Sequence, residues 1–268
     1  MNITFKVKGC GKPCFLLHGG PGMDASYFSP YLDSLADQLK LYAIDLRGCG
    51  LSPRLNSADY TMEGMVGDLE ELRIAKRHEK VILLGHSFGG FLGLEYALKF
   101  PDRVAGLILV ASAAHLKFVR ETGKATKHFP QVAQAQKTYL ESNRDEIALK
   151  KLILASIPLY FSKGFELEAK SLLAKINYGA KCYAELIKNY HSQFSLLKQL
   201  ADINVPCLVI AGENDLPIPP KYSLEMVEQL QDAEYAELKT GHFPFVEKPS
   251  EFNEIVLTWL RNRHLLDA

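Results

Sequence analysis

The chain contains 268 residues, of which 31 are lysine or arginine and 31 are aspartate or glutamate. The resulting net charge of zero argues against a general nucleic-acid binder, because such proteins usually carry a basic excess or a basic stripe. Hydrophobic residues make up 47% of the chain, which is ordinary for a globular protein and enough for a sizeable core. No stretch reaches the ~18 apolar residues that a membrane span needs. We therefore expect a water-soluble protein with no nucleic-acid or membrane partner.

The cysteines and the first residues bear on the compartment. An odd and scattered set of cysteines suits neither a disulfide framework nor a zinc site. The five are Cys10, Cys14, Cys49, Cys182 and Cys207. We interpret all of them as free thiols in a reducing compartment. The opening sequence MNITFKVKGC lacks the apolar run of a secretory signal, so we predict a cytoplasmic location.

Short apolar runs alternate with helical patterns in the first part of the chain, which is typical of βαβ units and a parallel sheet. Strands are predicted at 3–8, 14–17, 41–45, 81–84 and 104–111, and helices at 26–39, 61–76 and 88–99. From about 115 to 200 the spacing is helical with no clear strand, which indicates a helical insertion. The alternation then resumes, with strands at 206–211 and 235–239 and helices near 219–230 and 250–262.

A serine flanked by glycines follows the predicted strand 81–84. Residues 85–89 read GHSFG, a G-x-S-x-G motif between a strand and a helix. A nucleophilic serine on such a turn needs small residues two positions away on each side, because the strained backbone leaves no space for side chains. The motif alone is weak, but the strand before it and the helix after it favour a nucleophile over an ordinary glycine-rich turn. We predict that Ser87 is this nucleophile.

A nucleophilic serine needs a general base, and the base needs an acid that orients it. For a serine on a strand–helix turn, the acid and then the histidine follow it in the chain. His242 lies just past the last predicted strand, whereas His264 lies in the tail of the chain. Asp215 follows the preceding strand and comes before a proline-rich turn, which favours it over Glu213. We predict Asp215 as the acid and His242 as the base.

Acyl transfer also needs hydrogen-bond donors for the oxyanion. Residues 18–22 read HGGPG and lie before a predicted helix. Gly20 can bring its N–H close to a substrate because it has no side chain, whereas Pro21 has no N–H. We predict that the N–H groups of Gly20 and Phe88 form the oxyanion hole. We expect an apolar substrate pocket around them, lined by Met23, Leu216, Ile218 and Phe243.

Taken together, these segments resemble the α/β-hydrolase superfamily over nearly the whole chain. The resemblance rests on HGGPG at 18–22, DLRGCGLS at 45–52, GHSFGG at 85–90, GEND at 212–215 and GH at 241–242. It implies a mostly parallel eight-stranded sheet flanked by helices, with a helical cap inserted after the sixth strand. It also implies a triad of Ser87, Asp215 and His242. The core would then comprise 1–114 and 201–268, and the cap 115–200.

The HGGPG loop is similar to that of the prolyl iminopeptidases, which cleave N-terminal residues from short peptides. The chain departs from that branch at the nucleophile, with GHSFG in place of GGSWG, and at DLRG in place of DQRG. Its nucleophile motif is more similar to that of general esterases. The resemblance therefore implies a serine hydrolase that cleaves a small carboxylic ester or amide through an acyl-enzyme on Ser87.

Three alternatives stay open. They are an iminopeptidase acting on short peptides, a ligand-binding member of the superfamily with low turnover, and a lyase that uses the same triad. A nucleophile of the serine type disfavours dehalogenases and epoxide hydrolases, whose nucleophile is an aspartate. The sequence implies no metal and no cofactor, because it contains neither H-E-x-x-H nor a dinucleotide-binding G-x-G-x-x-G at the HGGPG loop.

The neutral total conceals an uneven distribution of charge. Residues 115–200 hold 14 basic and 7 acidic residues, which leaves 17 basic and 24 acidic residues in the rest of the chain. The simpler interpretation is solvated helix faces with attraction between the two parts. A second hypothesis is that the basic insertion steers anionic substrates. Because a free peptide amine needs acidic partners, the excess of cations favours an esterase over an aminopeptidase.

Overall fold

Seven strands form one sheet in the computed structural model, which describes residues 2–190 and 194–266. The strands are β1 (Thr4–Lys8), β2 (Lys12–Leu17), β3 (Leu39–Asp45), β4 (Val81–His86), β5 (Val104–Val110), β6 (Cys207–Gly212) and β7 (Ala233–Leu238). Their order is β1-β3-β2-β4-β5-β6-β7. Strand β1 pairs antiparallel with β3, and every other pairing is parallel. The predicted class, a mostly parallel α/β sheet, is confirmed.

The predicted strand number is wrong for the described residues. The residue patterns in the sequence predict seven strands, and each of them forms, whereas the eighth came only from the family resemblance. Strand β1 is an edge of the sheet and pairs only with β3 among the described strands. Consequently, the helical insertion follows the fifth strand rather than the sixth.

Helices cover both faces of the sheet. The helices of the described residues are α1 (Met62–Ala75), α2 (Phe88–Lys99), α3 (Phe118–Ala125), α4 (Pro130–Glu141), α5 (Glu146–Ala155), α6 (Ile157–Tyr160), α7 (Glu166–Leu173), α8 (Ala180–Tyr190), α9 (Pro220–Gln229), α10 (Pro244–Glu247) and α11 (Pro249–Asn262). Helix α1 begins after Thr61, whose hydroxyl accepts the N–H of Gly64 at 3.0 Å, as an N-cap residue does. Among the described helices, none is both long and apolar enough to cross a membrane.

The helix predicted at 26–39 does not form as one element. Two short 3-10 helices occupy this region, Ala25–Phe28 and Asp33–Asp37, and β3 begins at Leu39. Pro30 separates them, because proline has no N–H for a helical hydrogen bond and disfavours a helical conformation at the residue before it. Ser29 is accordingly extended, with φ −93° and ψ 138°. The apolar residues of this region are thus buried by two short 3-10 helices rather than by one α-helix.

The central strands are apolar along their whole length because helices cover both of their faces. All six residues of β4 and of β6 are buried. Alternate residues of β4 face opposite sides: Ile82 and Leu84 join a core with Trp259 of α11, and Leu83 joins a core with Leu92 of α2. This sandwich holds the carboxyl ends of the parallel strands at one edge of the sheet.

Residues 111–206, here called the β5–β6 segment, carry the helices α3 to α8. Its ends meet: the N–H of Leu196 donates to the carbonyl of Ala114 at 2.7 Å, and His115 forms an isolated β-bridge with Ser195. Apolar residues of this segment, such as Leu149 and Leu173, are buried in the same core as β4. The segment is therefore packed against the sheet and enters and leaves it at one place.

The five cysteines are free, as predicted. Cys10 is exposed and the other four are buried. The sulfur atoms of Cys49 and Cys182 lie 3.5 Å apart, which is a thiol contact between the loop after β3 and helix α8. Burial raises the pKa of Cys14 to about 12 and that of Cys207 to about 12. These two thiols are therefore poor nucleophiles, because the thiolate is the reactive form.

Candidate active site

Ser87 lies on the tight turn between β4 and α2. Its backbone has φ 53° and ψ −116°, a conformation that residues with a side chain seldom adopt. Its N–H donates to the carbonyl of Val110 at 2.8 Å, which ties the turn to the end of β5. The side chain is largely buried but lines a cavity. Sparsely populated backbone conformations of this kind cluster at functional sites.

The glycines on either side of Ser87 are required by close backbone contacts. A Cβ atom on Gly85 would lie 2.3 Å from the carbonyl oxygen of Gly89, and one on Gly89 would lie 2.0 Å from that of Leu17. Both distances are far below a van der Waals contact. The structure thus gives the physical reason for the small residues that the motif places two positions from the serine.

The predicted acid and base are joined by a hydrogen bond. Oδ2 of Asp215 lies 2.7 Å from Nδ1 of His242, and the other carboxylate oxygen accepts the N–H of Ile218 at 2.7 Å. Burial raises the pKa of Asp215, and the His242 ring partly opposes this shift. Because the carboxylate engages Nδ1, Nε2 is the imidazole nitrogen that can exchange a proton with a nucleophile. The rejected candidate Glu213 is exposed.

Ser87 and His242 line the same cavity, which has a volume of about 330 Å³. Small-molecule sites commonly begin at this size. The predicted wall residues Met23, Ile218 and Phe243 lie on this cavity, and so do the predicted oxyanion residues Gly20 and Phe88. The structure therefore brings these seven predicted site residues together, with Asp215 placed behind His242.

Leu216 is the predicted pocket residue that the structure places elsewhere. It is 39% exposed and does not line the cavity. The reason is the turn that Asp215 makes when it accepts the N–H of Ile218. This turn directs Pro217 and Ile218 inward and leaves Leu216 facing solvent.

The β5–β6 segment supplies much of the cavity wall. Its contribution includes Leu116, Phe118, Leu159, Tyr160, Leu186 and Phe194. The helical spacing predicted a helical insertion here, and the family resemblance implied that it covers the site. Neither identified these side chains, because several helices of similar composition compete for that role. Among the described residues that line the cavity, none is aspartate, glutamate, lysine or arginine. The described wall thus contains no carboxylate, ammonium or guanidinium group.

The two predicted oxyanion donors occupy suitable backbone positions. Phe88 is the first residue of α2, so its N–H lies at a helix N-terminus, where N–H groups lack intrahelical acceptors and favour negative charge. Gly20 has φ +119°, in the region that favours glycine. A Cβ atom there would lie 2.8 Å from the backbone nitrogen of Gly22. The loop therefore needs a glycine at position 20.

The DLRGCGLS segment at 45–52 supports the site without lining it. The carboxylate of Asp45 accepts the N–H of Ala25 at 3.0 Å and that of Leu51 at 2.9 Å. The N–H of Leu46 donates to Nε2 of His18 at 3.1 Å, at the start of the HGGPG loop. These bonds fasten the loop that follows β3 to the one that carries Gly20. The role of this motif is therefore structural.

A family model for the α/β hydrolase fold matches residues 12–249. The chain therefore belongs to this family of enzymes, and the resemblance predicted from its motifs is confirmed. It is 30% identical to proline iminopeptidase PfmaB of Pestalotiopsis fici, over 92% of this chain and 89% of that protein. It is 27% identical to a putative carbamate hydrolase, RutD, of Rhizobium rhizogenes, over 97% of this chain and 98% of that protein.

A solved structure of a thermophilic esterase from Thermogutta terrifontis superposes with a TM-score of 0.80. The match has 24% sequence identity and covers 98% of this chain and 94% of that chain. At this identity the comparison establishes the shared fold.

Proposed function

We propose that the protein is a serine hydrolase that cleaves small, uncharged carboxylic esters, and amides of the same kind, through an acyl-enzyme. The observation that carries this proposal is the hydrogen-bonded pair of Asp215 and His242 on the wall of the cavity that contains Ser87. A strained serine, a buried carboxylate and a histidine, in this chain order, are the groups that acyl transfer uses.

The reaction follows from this geometry. Ser87 attacks the carbonyl carbon while Nε2 of His242 takes its proton, and Asp215 stabilises the imidazolium that forms. The N–H groups of Gly20 and Phe88 stabilise the oxyanion. His242 then gives the proton to the leaving group, which departs as an alcohol or amine. Water, activated by the same imidazole, attacks the acyl-enzyme and releases the acid.

The wall of the cavity favours neutral groups on both sides of the scissile bond. A charged group loses its hydration when it enters an apolar cavity, and it regains that free energy only if it meets an opposite charge. The described wall offers no carboxylate, ammonium or guanidinium. The uncharged wall also gives no direct support to the hypothesis that the excess of cations in 115–200 selects anionic substrates.

An iminopeptidase acting on short peptides is the second candidate, and the similarity to PfmaB supports it. Against it, acidic side chains of the β5–β6 segment are engaged away from the cavity. Glu121 pairs with Lys221 at 2.7 Å, and Glu168 accepts the hydroxyl proton of Tyr31 at 2.7 Å. A peptide ammonium in the cavity would therefore lack a described carboxylate partner.

We also propose that 115–200 is a cap on a core formed by 1–114 and 201–268. The meeting of Ala114 with Leu196 and of His115 with Ser195 supports these boundaries. The cap is fastened to the loops that carry the site: the N–H of Gly179 donates to the carbonyl of Gly22 at 2.8 Å. Substrate size is then set by the cap, because cap side chains form much of the cavity wall.

The test is hydrolysis of a panel of p-nitrophenyl esters beside proline p-nitroanilide, with wild-type protein and Ser87→Ala. We expect turnover of a short neutral ester by the wild type and a fall of about 10³-fold or more in Ser87→Ala, with unchanged circular dichroism. Full activity in this variant contradicts the nucleophile, and a clear preference for the anilide favours the iminopeptidase. A folded wild type that binds esters but neither hydrolyses them nor reacts with a fluorophosphonate favours the low-turnover binder.

A further inference from the structure

A chain of hydrogen bonds lies behind Ser87 and joins three segments of the candidate site. The N–H of Gly19 donates to the hydroxyl of Tyr27. This hydroxyl oxygen lies 2.8 Å from Nδ1 of His86. On the other side of the ring, Nε2 of His86 lies 2.8 Å from the carbonyl oxygen of His242. Tyr27 and His86 are 0% and 1% exposed, so water does not compete for these bonds.

The chemistry of the groups sets the direction of each bond. The carbonyl oxygen of His242 can only accept, so Nε2 of His86 carries a proton. A neutral imidazole has a single N–H, so Nδ1 accepts and the Tyr27 hydroxyl donates to it. Burial lowers the pKa of His86 well below its ordinary value, and the nearby His242 ring lowers it further. The ring is therefore neutral, and the donor and acceptor in each of these hydrogen bonds are fixed.

The hydroxyl of Tyr27 adds hydrogen bonds but no packing. The ring lies in an aromatic cluster, with centroids 4.6 Å from Phe28, 5.5 Å from Phe243 and 5.9 Å from Phe245. A phenylalanine would fill the same space. A buried hydroxyl is unfavourable unless it is hydrogen-bonded, so the polar atom is accounted for by its two partners, Gly19 and His86.

This chain of hydrogen bonds reaches the oxyanion loop, the nucleophile turn and the base of the proposed reaction. Gly19 directly precedes the oxyanion residue Gly20. His86 directly precedes the nucleophile Ser87. The third contact is with the base itself, His242, whose own N–H donates to the carbonyl of Tyr160 in the β5–β6 segment at 2.7 Å. Both backbone polar groups of His242 are thus held, one by the cap and one by His86.

We propose that Tyr27 and His86 are positioning residues that fix the base, the nucleophile turn and the oxyanion loop relative to one another. This inference rests on the proposed serine-hydrolase function. Misplacement of a reacting group by about 1 Å can lower a rate by about 100-fold. Loss of the chain therefore acts on the transition state more than on substrate binding, which depends on the apolar wall.

The first test is Tyr27→Phe, assayed with p-nitrophenyl butyrate. We expect kcat to fall by about tenfold or more, while KM changes by less than about threefold. The matched control is Tyr60→Phe, since Tyr60 is also 0% exposed and its hydroxyl accepts the N–H of Leu55 at 2.8 Å, outside the cavity. Equal kcat values in the two variants, with similar losses of thermal stability, overturn the proposal.

Two further measurements do not depend on the choice of ester. The rate of reaction of Ser87 with a fluorophosphonate should fall by about tenfold in Tyr27→Phe and should not change in Tyr60→Phe. Long-range ¹H–¹⁵N spectra of the wild type should place the His86 proton on Nε2 with no titration between about pH 6 and pH 8. A proton on Nδ1, or a ring that titrates there, overturns the chain even if esters are hydrolysed. Conversely, a wild type that reacts with the fluorophosphonate but does not hydrolyse esters contradicts the proposed substrate class. The positioning role is then still supported if Ser87 reacts about tenfold more slowly in Tyr27→Phe than in the wild type.

Discussion

The carboxylate of Asp215 lies 2.7 Å from Nδ1 of His242, although 27 positions separate the two residues. The contact is a consequence of sheet topology. Asp215 follows β6 and His242 follows β7, and these strands are parallel neighbours, so their carboxyl ends meet at one edge of the sheet. The same edge carries Ser87 after β4. Parallel order thus brings together three groups that are remote in sequence.

Replacement of Asp215 by asparagine tests the role of this contact. An amide at the same position no longer stabilises the imidazolium and favours the wrong tautomer of His242. Comparable changes in serine hydrolases lower kcat by about 10⁴-fold, and we expect a loss of about 10³-fold or more here. The measurement is kcat for a short neutral ester near neutral pH, together with an unfolding curve.

The neighbouring carboxylate Glu213 provides the matched control. It lies two residues away but is exposed, so Glu213→Gln should leave kcat within about twofold, as surface substitutions away from special features usually have small effects. If Asp215→Asn retains activity within tenfold of the wild type, or if Glu213→Gln is the damaging change, the assignment of the acid is incorrect.

Two glycine substitutions, one in the turn around Ser87 and one in helix α1, should have opposite effects on stability. In Gly89→Ala the new methyl group would lie 2.0 Å from the carbonyl oxygen of Leu17, so the backbone must shift. We expect destabilisation by about 2 kcal/mol or more, typical of overpacking, and loss of activity. In Gly67→Ala, within α1, nothing lies within 4 Å of the new atom, and the helix should gain about 0.5–1 kcal/mol.

Urea unfolding of both variants provides this comparison. If the Gly89→Ala protein is as stable and as active as the wild type, the turn can accommodate a methyl group at position 89, and the steric explanation for this glycine is wrong. A destabilised Gly67→Ala protein would indicate that helix propensity is not decisive in α1.

Short sequence patterns predicted the strands and the turn at Ser87, because neighbouring residues largely determine the structure of these elements. Short apolar or alternating runs predicted the seven strands, and the G-x-S-x-G motif between a strand and a helix predicted the turn at Ser87. The helix predicted at 26–39 failed because apolar spacing does not register the break that Pro30 imposes. Leu216 failed because its direction depends on a side-chain bond made by Asp215. The contact of Tyr27 with His86 spans 59 positions, and no pattern in the sequence encodes such a distance.

Among the described residues, the cavity wall contains no aspartate, glutamate, lysine or arginine, which predicts discrimination by substrate charge. Two p-nitrophenyl esters of equal acyl length, butyrate and the anionic monoester of succinate, differ mainly in one carboxylate. We expect kcat/KM for the anionic ester to be lower by about tenfold or more, because an unpaired charge must be desolvated. The measurement is repeated at low and high salt. A higher kcat/KM for succinate that falls with salt would instead support steering by the basic residues of 115–200.

Glu247 predicts a pH dependence of stability. Its Oε1 atom accepts the N–H of Gly241 at 3.0 Å and that of Ser162 at 3.2 Å, which links the segment before His242 to the cap. Burial raises the pKa of Glu247, although the hydrogen bonds from Ser162 and Gly241 oppose the shift. The folded state therefore binds this proton more tightly than the unfolded state does. By linkage, the contribution of Glu247 to the free energy of unfolding falls as pH rises from the ordinary value for glutamate through the raised value.

Glu247→Gln removes this titration while it keeps a carbonyl oxygen as acceptor for the two N–H groups. The free energy of unfolding of the variant, minus that of the wild type, should increase with pH across this window and then level off. Taking the difference removes the contributions of ionisable groups that the substitution leaves unaffected. A difference that decreases with pH would mean that the folded state stabilises the Glu247 carboxylate, and a flat difference would mean that folding leaves its pKa unchanged. Either result contradicts the prediction.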